Sequence, residues 1–450
     1  MEIESHLNNT RQDNPRPNNS RQSNWMVGVV VLSLGWLLLY ATRTALSSAL
    51  KDIGDFWGLS EGYLGFLSSS FFLSYMLLQI PSGILADRFG SRKMIVIGFG
   101  IQATGLLLGV LAQSPFQFLL ARILTGAGQA TYFACQQAIL SFTLPPGKRA
   151  GGVAVTTAGA GIGSAVGFLL GKFLSAFSLG WKMPFVVLGL LSGAFIFVVM
   201  TTVPEPRMNR RQGTGGQSTI TDLAQQASGT TPATPTILTS GQPSRPRTGP
   251  GWGFLAYLSA AHFLTMYGFY LMLTWLPYYL ETVRGLKGGL SAVIPVVMPL
   301  IMAPSTILWG LAADRRKSRD FVLRICLPIA AVAVAAIPLM GSPVALAAVL
   351  ALYGATGKLV IDPILVSAIS EYAQPETRGV TLATFNSSAS LAMVLAPSVT
   401  GLIAQLTGSF DVSFYAAGLF HLIALVAYVM GVRLLARSRA TPSSSRSTRR

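Results

Sequence analysis

A few residues in this chain are charged where their surroundings are apolar, and their types narrow the chemistry available. Arg43 stands in "LLLYATRTALSSAL", residues 37–50, where the first acid downstream is Asp52. A guanidinium is permanently charged, and its planar fork of donors fits a carboxylate or phosphate through two parallel hydrogen bonds. Lys358 and Asp362 stand in "YGATGKLVIDPILV", four residues apart and therefore on one face of a helix. Of the sixteen acids, Asp362 alone lies well inside an apolar run. Either the two neutralise each other, or Lys358 is a second anion-binding cation that Asp362, as a protonatable coupling residue, releases when substrate arrives. Pro363 would loosen the helix there. These groups bind and exchange charge. No Walker motif, metal-ligand cluster or nucleophile and base pairing accompanies them, so neither an enzyme nor a cofactor is expected.

The elements that must hold these residues are helices in a membrane. The 450 residues are 51% hydrophobic and 11% charged, with mean hydropathy +0.54, against about 25% charged in an ordinary soluble domain. Apolar runs of about 20 residues each span a bilayer. They fall at 25–50, 61–82, 93–112, 116–143, 149–176 and 182–203, then at 252–280, 288–312, 321–340, 343–370, 378–405 and 412–434. The expected architecture is an all-α integral membrane protein of twelve transmembrane helices.

Net charge is +17 and the pI near 10.3. In a soluble protein that balance would point to nucleic acid, but here the positions of the cations set the topology instead. Alternate loops and both tails carry 25 of the 33 Lys and Arg: Arg11, Arg16, Arg21, Arg88, Arg92, Lys93, Lys148, Arg149, five in the central loop, Arg315, Arg316, Lys317, Arg319, Arg324, Arg378 and six from Arg433 onward. The opposite loops and helix ends carry Lys51, Lys172, Lys182, Arg284 and Lys287. That asymmetry predicts both termini in the cytoplasm of a multi-pass protein of the cell membrane. The start has no apolar signal-peptide core, so the first span is expected to be retained. Cys135 and Cys326 lie in apolar stretches and read as small core residues.

Within the spans the polar residues form stripes. Ser33, Trp36, Tyr40, Arg43 and Ser47 recur at three- and four-residue steps on the first, with Val30, Leu34, Leu37, Leu38 and Leu46 elsewhere. Further stripes are Thr125, Gln129, Tyr132 and Gln136 on the fourth and Phe263, Tyr267, Tyr270 and Thr274 on the seventh. Tyr75 and Gln79 on the second and Asn386 and Ser390 on the eleventh add to these. They either line a cavity for a small polar solute or bond helix to helix. Trp36, Tyr40, Arg43, Gln129, Tyr267, Tyr270, Lys358 and Asn386 are the candidate substrate residues. Arg122 lies near a span end and either snorkels outward or joins the cavity. His262 reads as a surface or core histidine. Gly159, Gly163, Gly167 and Gly171 form a four-residue ladder that lets another helix approach closely.

The chain repeats. "GILADRFGSRK" at 83 and "GLAADRRKSR" at 310 place Asp87 and Asp314 227 residues apart; Arg149 and Arg378, each opening a similar segment, are 229 apart. Two six-helix halves, 25–203 and 251–434, are expected, joined by a Thr-, Ser-, Gly- and Pro-rich cytoplasmic linker at 204–250. Residues 1–24 form a polar tail, and 435–450 a basic tail that would lie on anionic lipid. Such repeats carry their substrate near the midplane between halves.

These features resemble the major facilitator superfamily over all twelve spans. Its loop signature is matched by Gly83, Asp87, Arg88, Gly90, Arg92 and Lys93, with Ser91 where a basic residue is usual. The second copy keeps Gly310, Asp314 and Arg315 but has Lys317 where Gly is expected. The resemblance implies a conformational latch, in which Asp87 would cap a helix N-terminus. Arg122 and Gly126 match the family's fourth-helix pattern, and Phe168 replaces the proline of drug antiporters. "YATRTALSSAL", "YGFYLMLTWLPYYLETVRG" and "DPILVSAISEYAQPETRG" are similar to the branch of organic-anion symporters and organophosphate exchangers. That branch implies carboxylate or phosphate binding at Arg43. Thr42 and Gln129 stand where its proton-coupled members carry acids, so their coupling does not transfer. The expected function is secondary transport of a small organic anion by alternating access, with protons as possible co-substrate, membrane lipid as surroundings and a monomer as the working unit. Efflux of amphipathic drugs, or membrane sensing without transport, are the alternatives.

Overall fold

The computed structural model describes residues 25–144, 149–205, 252–286, 289–316, 319–372 and 378–440. The two tails and nearly all of the linker expected from the sequence lie outside them. Among the described residues fourteen α-helices run in order: α1 Trp25–Trp57, α2 Glu61–Phe89, α3 Ser91–Leu111, α4 Pro115–Gln129, α5 Tyr132–Thr143, α6 Arg149–Phe173 and α7 Met183–Thr202. The second set is α8 Trp252–Thr282, α9 Leu290–Arg316, α10 Arg319–Ala336, α11 Pro343–Thr356, α12 Lys358–Tyr372, α13 Arg378–Thr407 and α14 Asp411–Ala440.

Eleven stretches are long and apolar enough to cross a membrane, α11 and α12 together counting as one. The twelfth crossing is α4 with α5, each too short alone, bent at Ala130 and Thr131. The fold is therefore twelve transmembrane helices in two six-helix halves. Several helices outrun their apolar cores: α1 continues to Trp57 and α2 to Phe89, and Ser60 caps the start of α2 by accepting from the Tyr63 amide, which leaves a turn of only a few residues between them.

The broken spans are built alike. Ser114 and Ser342, 228 residues apart, each precede a proline at the first helical position and each accept an amide hydrogen three residues on, at 3.3 and 3.2 Å. The breaks correspond too, since Gln129, the last residue of α4, and Gly357, which separates α11 from α12, are again 228 apart. Gly357 rather than Pro363 interrupts the tenth span. Pro363 sits in the second turn of α12, and the helix continues through it.

The start of α1 at Trp25 and the end of α14 lie on one face, here the near face. The halves are joined towards the other, the far face. The Ser47 hydroxyl donates to the Leu273 carbonyl at 2.8 Å, the Ser69 hydroxyl accepts from the Ser398 amide at 3.1 Å, and Tyr278 donates to Glu61 at 3.2 Å. Lys172 on α6 bridges to Glu281 on α8 at 2.8 Å and lies 4.0 Å from Asp52 on α1. Gly65 and Gly401 allow α2 and α13 to touch: a Cβ at Gly65 would strike the Pro397 carbonyl, and one at Gly401 the Glu61 carbonyl.

On the near face the first loop motif takes a different form from the expected cap. Asp87 and Arg88 are exposed in the last turns of α2, and α3 starts at Gly90 (φ 99°) with no side-chain cap. Glu205, beyond α7, occupies the anionic position at the start of α3. Its carboxylate accepts from the Arg92 amide at 3.3 Å and lies 3.7 Å from the Arg92 guanidinium, which also donates to the Val203 carbonyl. A Cβ at Gly90 would meet this carboxylate. Gly83 lies against Ala134 of α5. In the second copy Arg315 is exposed, and the Asp314 side chain lies outside the described residues.

Candidate functional site

Arg43 is positioned by the close packing of α1 on α6. Cβ atoms at Gly159, Gly163, Gly167 and Gly171 would strike, in turn, the carbonyls of Ser33, Leu37, Ala41 and Ala45. The ladder thus runs along one edge of α1, and Thr44 and Ser48 add hydrogen bonds to the Ser164 and Phe168 carbonyls at 3.0 Å each. With that edge fixed, the polar stripe of α1 turns inward. Arg43 is 6% exposed; its Nε donates to Gln129 Oε1 at 2.9 Å, and Gln129 Nε2 donates to the Leu39 carbonyl at 3.3 Å. Thr42 bonds back to the Leu38 carbonyl of its own helix. Both residues that replace the expected acids are therefore neutral and satisfied.

A second guanidinium stands beside the first. Arg122 is 3% exposed, so it does not snorkel, and it shares a face of α4 with Phe118, Thr125 and Gln129. Its spacing to Thr125 and Gln129 was the signal available in the sequence. Arg122 Cζ lies 4.5 Å from the Phe71 ring centroid and Arg43 Cζ 5.7 Å from the same ring. Arg43 also lies over Tyr40 and Tyr75, at 4.8 and 5.0 Å. Both arginines line one narrow cavity with Leu46, Ser47, Ser68, Phe72, Leu273 and Thr274, so it is walled by both halves. It has room for about one water-sized group. Arg43 Nη2 and Arg122 Nε and Nη1 are buried without a hydrogen-bond partner. Nearby donors left unsatisfied in a dry interior are unfavourable by several kcal/mol, roughly, unless an anion meets them.

The second half contributes a different cluster. Lys358, the first residue of α12, lies 3.0 Å from Asp362 Oδ2 and 5.2 Å from the Phe269 ring centroid. Asp362 Oδ1 lies 2.9 Å from His262 Nε2, which adds His262 to the pair expected from sequence. His262 is 3% exposed and stacks on Phe385 at 4.1 Å. Its nearest polar neighbours are one turn or more along other helices, so no local pattern in the sequence exposes it.

The remaining candidates divide. Trp36 packs on Tyr40 and, edge-on, on Tyr132, continuing the α1 stripe beside Arg43. Tyr270 meets Phe72 edge-on at 5.3 Å, so α8 faces the cavity there and again at Thr274. Tyr267 is not brought to the arginines. Its hydroxyl bonds to Thr400 at 3.1 Å and its ring packs on Phe420, which ties α8 to α13 and α14. Asn386 is exposed, on the α13 face whose later members Pro397 and Gly401 meet α2. Cys135 and Cys326 are buried and free, as expected.

Two six-helix halves, joined towards one face and walling a charged cavity between them, are the architecture of a membrane transporter. The family model described as Major Facilitator Superfamily matches residues 32–361 and 300–450, and the chain belongs to that family. It is similar to a hexuronate transporter of Bacillus subtilis, 26% identical over 419 residues, covering 90% of this chain and 94% of the relative. It is also 25% identical over 411 residues to a voltage-gated purine nucleotide uniporter of Mus musculus, covering 88% and 86%. A probable chloroplastic anion transporter of Oryza sativa is 26% identical over 421 residues, covering 90% and 68%. Among solved structures, a bacterial homologue of the human lysosomal transporter Spinster has the same fold, with a TM-score of 0.70 at 18% identity, covering 93% of this chain and 99% of its own.

Proposed function

We propose that the protein is a secondary active transporter of a small organic anion, a carboxylate or phosphorylated solute, and that it couples this movement to protons. The observation that carries the proposal is the pair of buried guanidinium ions, Arg43 and Arg122, whose unpartnered N–H groups meet at one cavity. The cavity is too narrow for a whole sugar acid, so the anionic head enters between the arginines. The body of the solute then lies against Trp36, Tyr40, Tyr75 and Tyr270. Gln129 holds Arg43 in place, and Lys358, released from Asp362, supplies a further cation. Names among the relatives support this: a hexuronate carries a carboxylate and a purine nucleotide carries phosphates. The seal on the far face supports alternating access, with the cavity reached from the near face in this state.

We take the near face, with both termini, to be cytoplasmic, a reading supported by the excess of Lys and Arg in the loops on that side, and the working unit to be a monomer in the cell membrane. Uptake of a panel of radiolabelled carboxylates and phosphates by proteoliposomes tests the proposal, with Arg43→Ala alongside. Uptake of at least one panel member by the wild type and its loss in the variant are expected. Equal uptake by the two proteins contradicts an anion site at Arg43.

A further inference from the structure

Charge in the first-half site is fixed. Arg43 and Arg122 stay cationic, and Thr42 and Gln129 carry no proton that could leave. A proton-driven transporter with this first half needs its titrating group elsewhere, and the second half holds one in a suitable setting.

We infer that His262 is the proton-binding site of the transport cycle, and that Asp362 exchanges between His262 and Lys358 as the proton comes and goes. This deepens the proton-coupled anion reading and rests on it. Asp362 is divided between two partners, with Oδ1 to His262 and Oδ2 to Lys358. The other ring nitrogen, Nδ1, faces the Ser388 hydroxyl at 3.2 Å and the Phe385 carbonyl at 3.3 Å, while that hydroxyl lies 2.6 Å from the same carbonyl. This arrangement accepts both protonation states. In neutral His262, Nε2 donates to Asp362 and Nδ1 accepts from Ser388. In the imidazolium, Nδ1 donates to Ser388 or Phe385, and the hydroxyl hydrogen rotates onto the carbonyl. No buried polar group is stranded in either state.

His421 shows the contrast. Its Nδ1 lies 2.8 Å from the Ala417 carbonyl of its own helix and its Nε2 is buried without a partner, a setting for a neutral ring only. The other groups near His262 are few. α12 brings Asp362 and, through it, Lys358; α14 brings His421 against Gly268, further along α8; and α11 brings Tyr353 against His421. None of the described hydrogen bonds, ion pairs or ring contacts brings a charged group of α1, α9 or α13 to His262.

The cycle balances in charge. One proton adds to Nδ1 and leaves from it. While it is bound, Asp362 neutralises the imidazolium and Lys358 is free to meet the substrate anion. When it departs, Asp362 reclaims Lys358 and the anion loses a partner. Proton and monoanion therefore move together.

Deuterium exchange of the histidine C2 hydrogens, followed by mass spectrometry on the full-length protein in detergent, tests this without substrate. Across about pH 5 to 9, His262 is expected to titrate and His421 to stay neutral. Lys358→Met should raise the His262 midpoint by about one pH unit, since Asp362 then has one partner, and Asp362→Asn should lower it by a similar amount. If Lys358→Met does not fold, the fall in Asp362→Asn alone decides. A His262 that does not titrate, or whose midpoint neither variant moves, overturns the inference. In proteoliposomes, the ratio of uptake with and without an inward proton gradient, for the panel anion that the wild type moves, should fall to about one in His262→Gln; a ratio kept at the wild-type value also overturns it. A protein that titrates as expected but moves no carboxylate or phosphate sinks the anion reading while the proton site stands.

Discussion

Span four and span ten occupy the same place in the two halves, and their differences separate two tasks. Each starts at a serine cap followed by proline and each breaks in mid-membrane, at Ala130 and Thr131 in one and at Gly357 in the other. At the repeat spacing of 228 residues, Arg122 corresponds to Leu350, and Arg43 to Leu271. The second half thus has no counterpart of either arginine. Its charges gather immediately beyond the break, at Lys358 and Asp362, with His262 from α8. Duplication supplied one scaffold. One copy holds two buried guanidinium groups with unpartnered nitrogens, and the other a carboxylate held between Lys358 and His262.

The comparison can be broken from either side. The largest expected effect is on stability, from Lys358→Met. It leaves a partly buried carboxylate with only His262 and should be destabilising by about 3 kcal/mol, whereas Lys358→Met with Asp362→Asn should regain most of that. Thermal unfolding in detergent checks this, and an equal loss in the single and double variants would mean the two residues are not a unit. Next, Arg43→Ala and Arg122→Ala should each lower anion uptake about 100-fold at fixed expression. Gln129→Glu should raise the anion KM about tenfold near neutral pH by placing a competing carboxylate on Arg43. The sign with pH is defined: protonation of Glu at low pH removes the competitor, so uptake by this variant should recover as pH falls. That change would give the first half the pH response it lacks. The smallest effect is expected of Ser47→Ala, about 1 kcal/mol from the loss of one hydrogen bond across the far face. It should appear as a modest shift towards the state open on that face, read by accessibility of a cysteine introduced there.

Much of this architecture was legible in the sequence because membranes restrict it. Backbone groups in lipid must bond internally, so apolar runs of the right length become helices, and the glycine ladder on α6 announced a close contact that α1 fills. The sequence could place Trp36, Tyr40 and Arg43 on one face of α1, and Gln129 on a face of α4, because each stripe lies within a single helix, where spacing encodes direction. What escaped depends on contacts between helices. His262 meets Asp362 a hundred residues away, and Glu205 meets Arg92 across more than a hundred. Tyr267 shares a predicted stripe with Tyr270, yet that stripe is wide enough for one residue to face the cavity and the other Thr400. Arg122 was ambiguous because position near a span's end does not reveal whether the span is bent.

The central claim is that two guanidinium ions without acid partners form an anion site, and a matched pair of ligands tests it most directly. Binding of galacturonate and of uncharged galactose to the purified protein should be measured by calorimetry, for the wild type and Arg43→Ala. Where the acid binds, the account predicts that the uncharged sugar does not and that Arg43→Ala abolishes the binding. Binding of both sugars with similar affinity, or of galacturonate unchanged in Arg43→Ala, would contradict it.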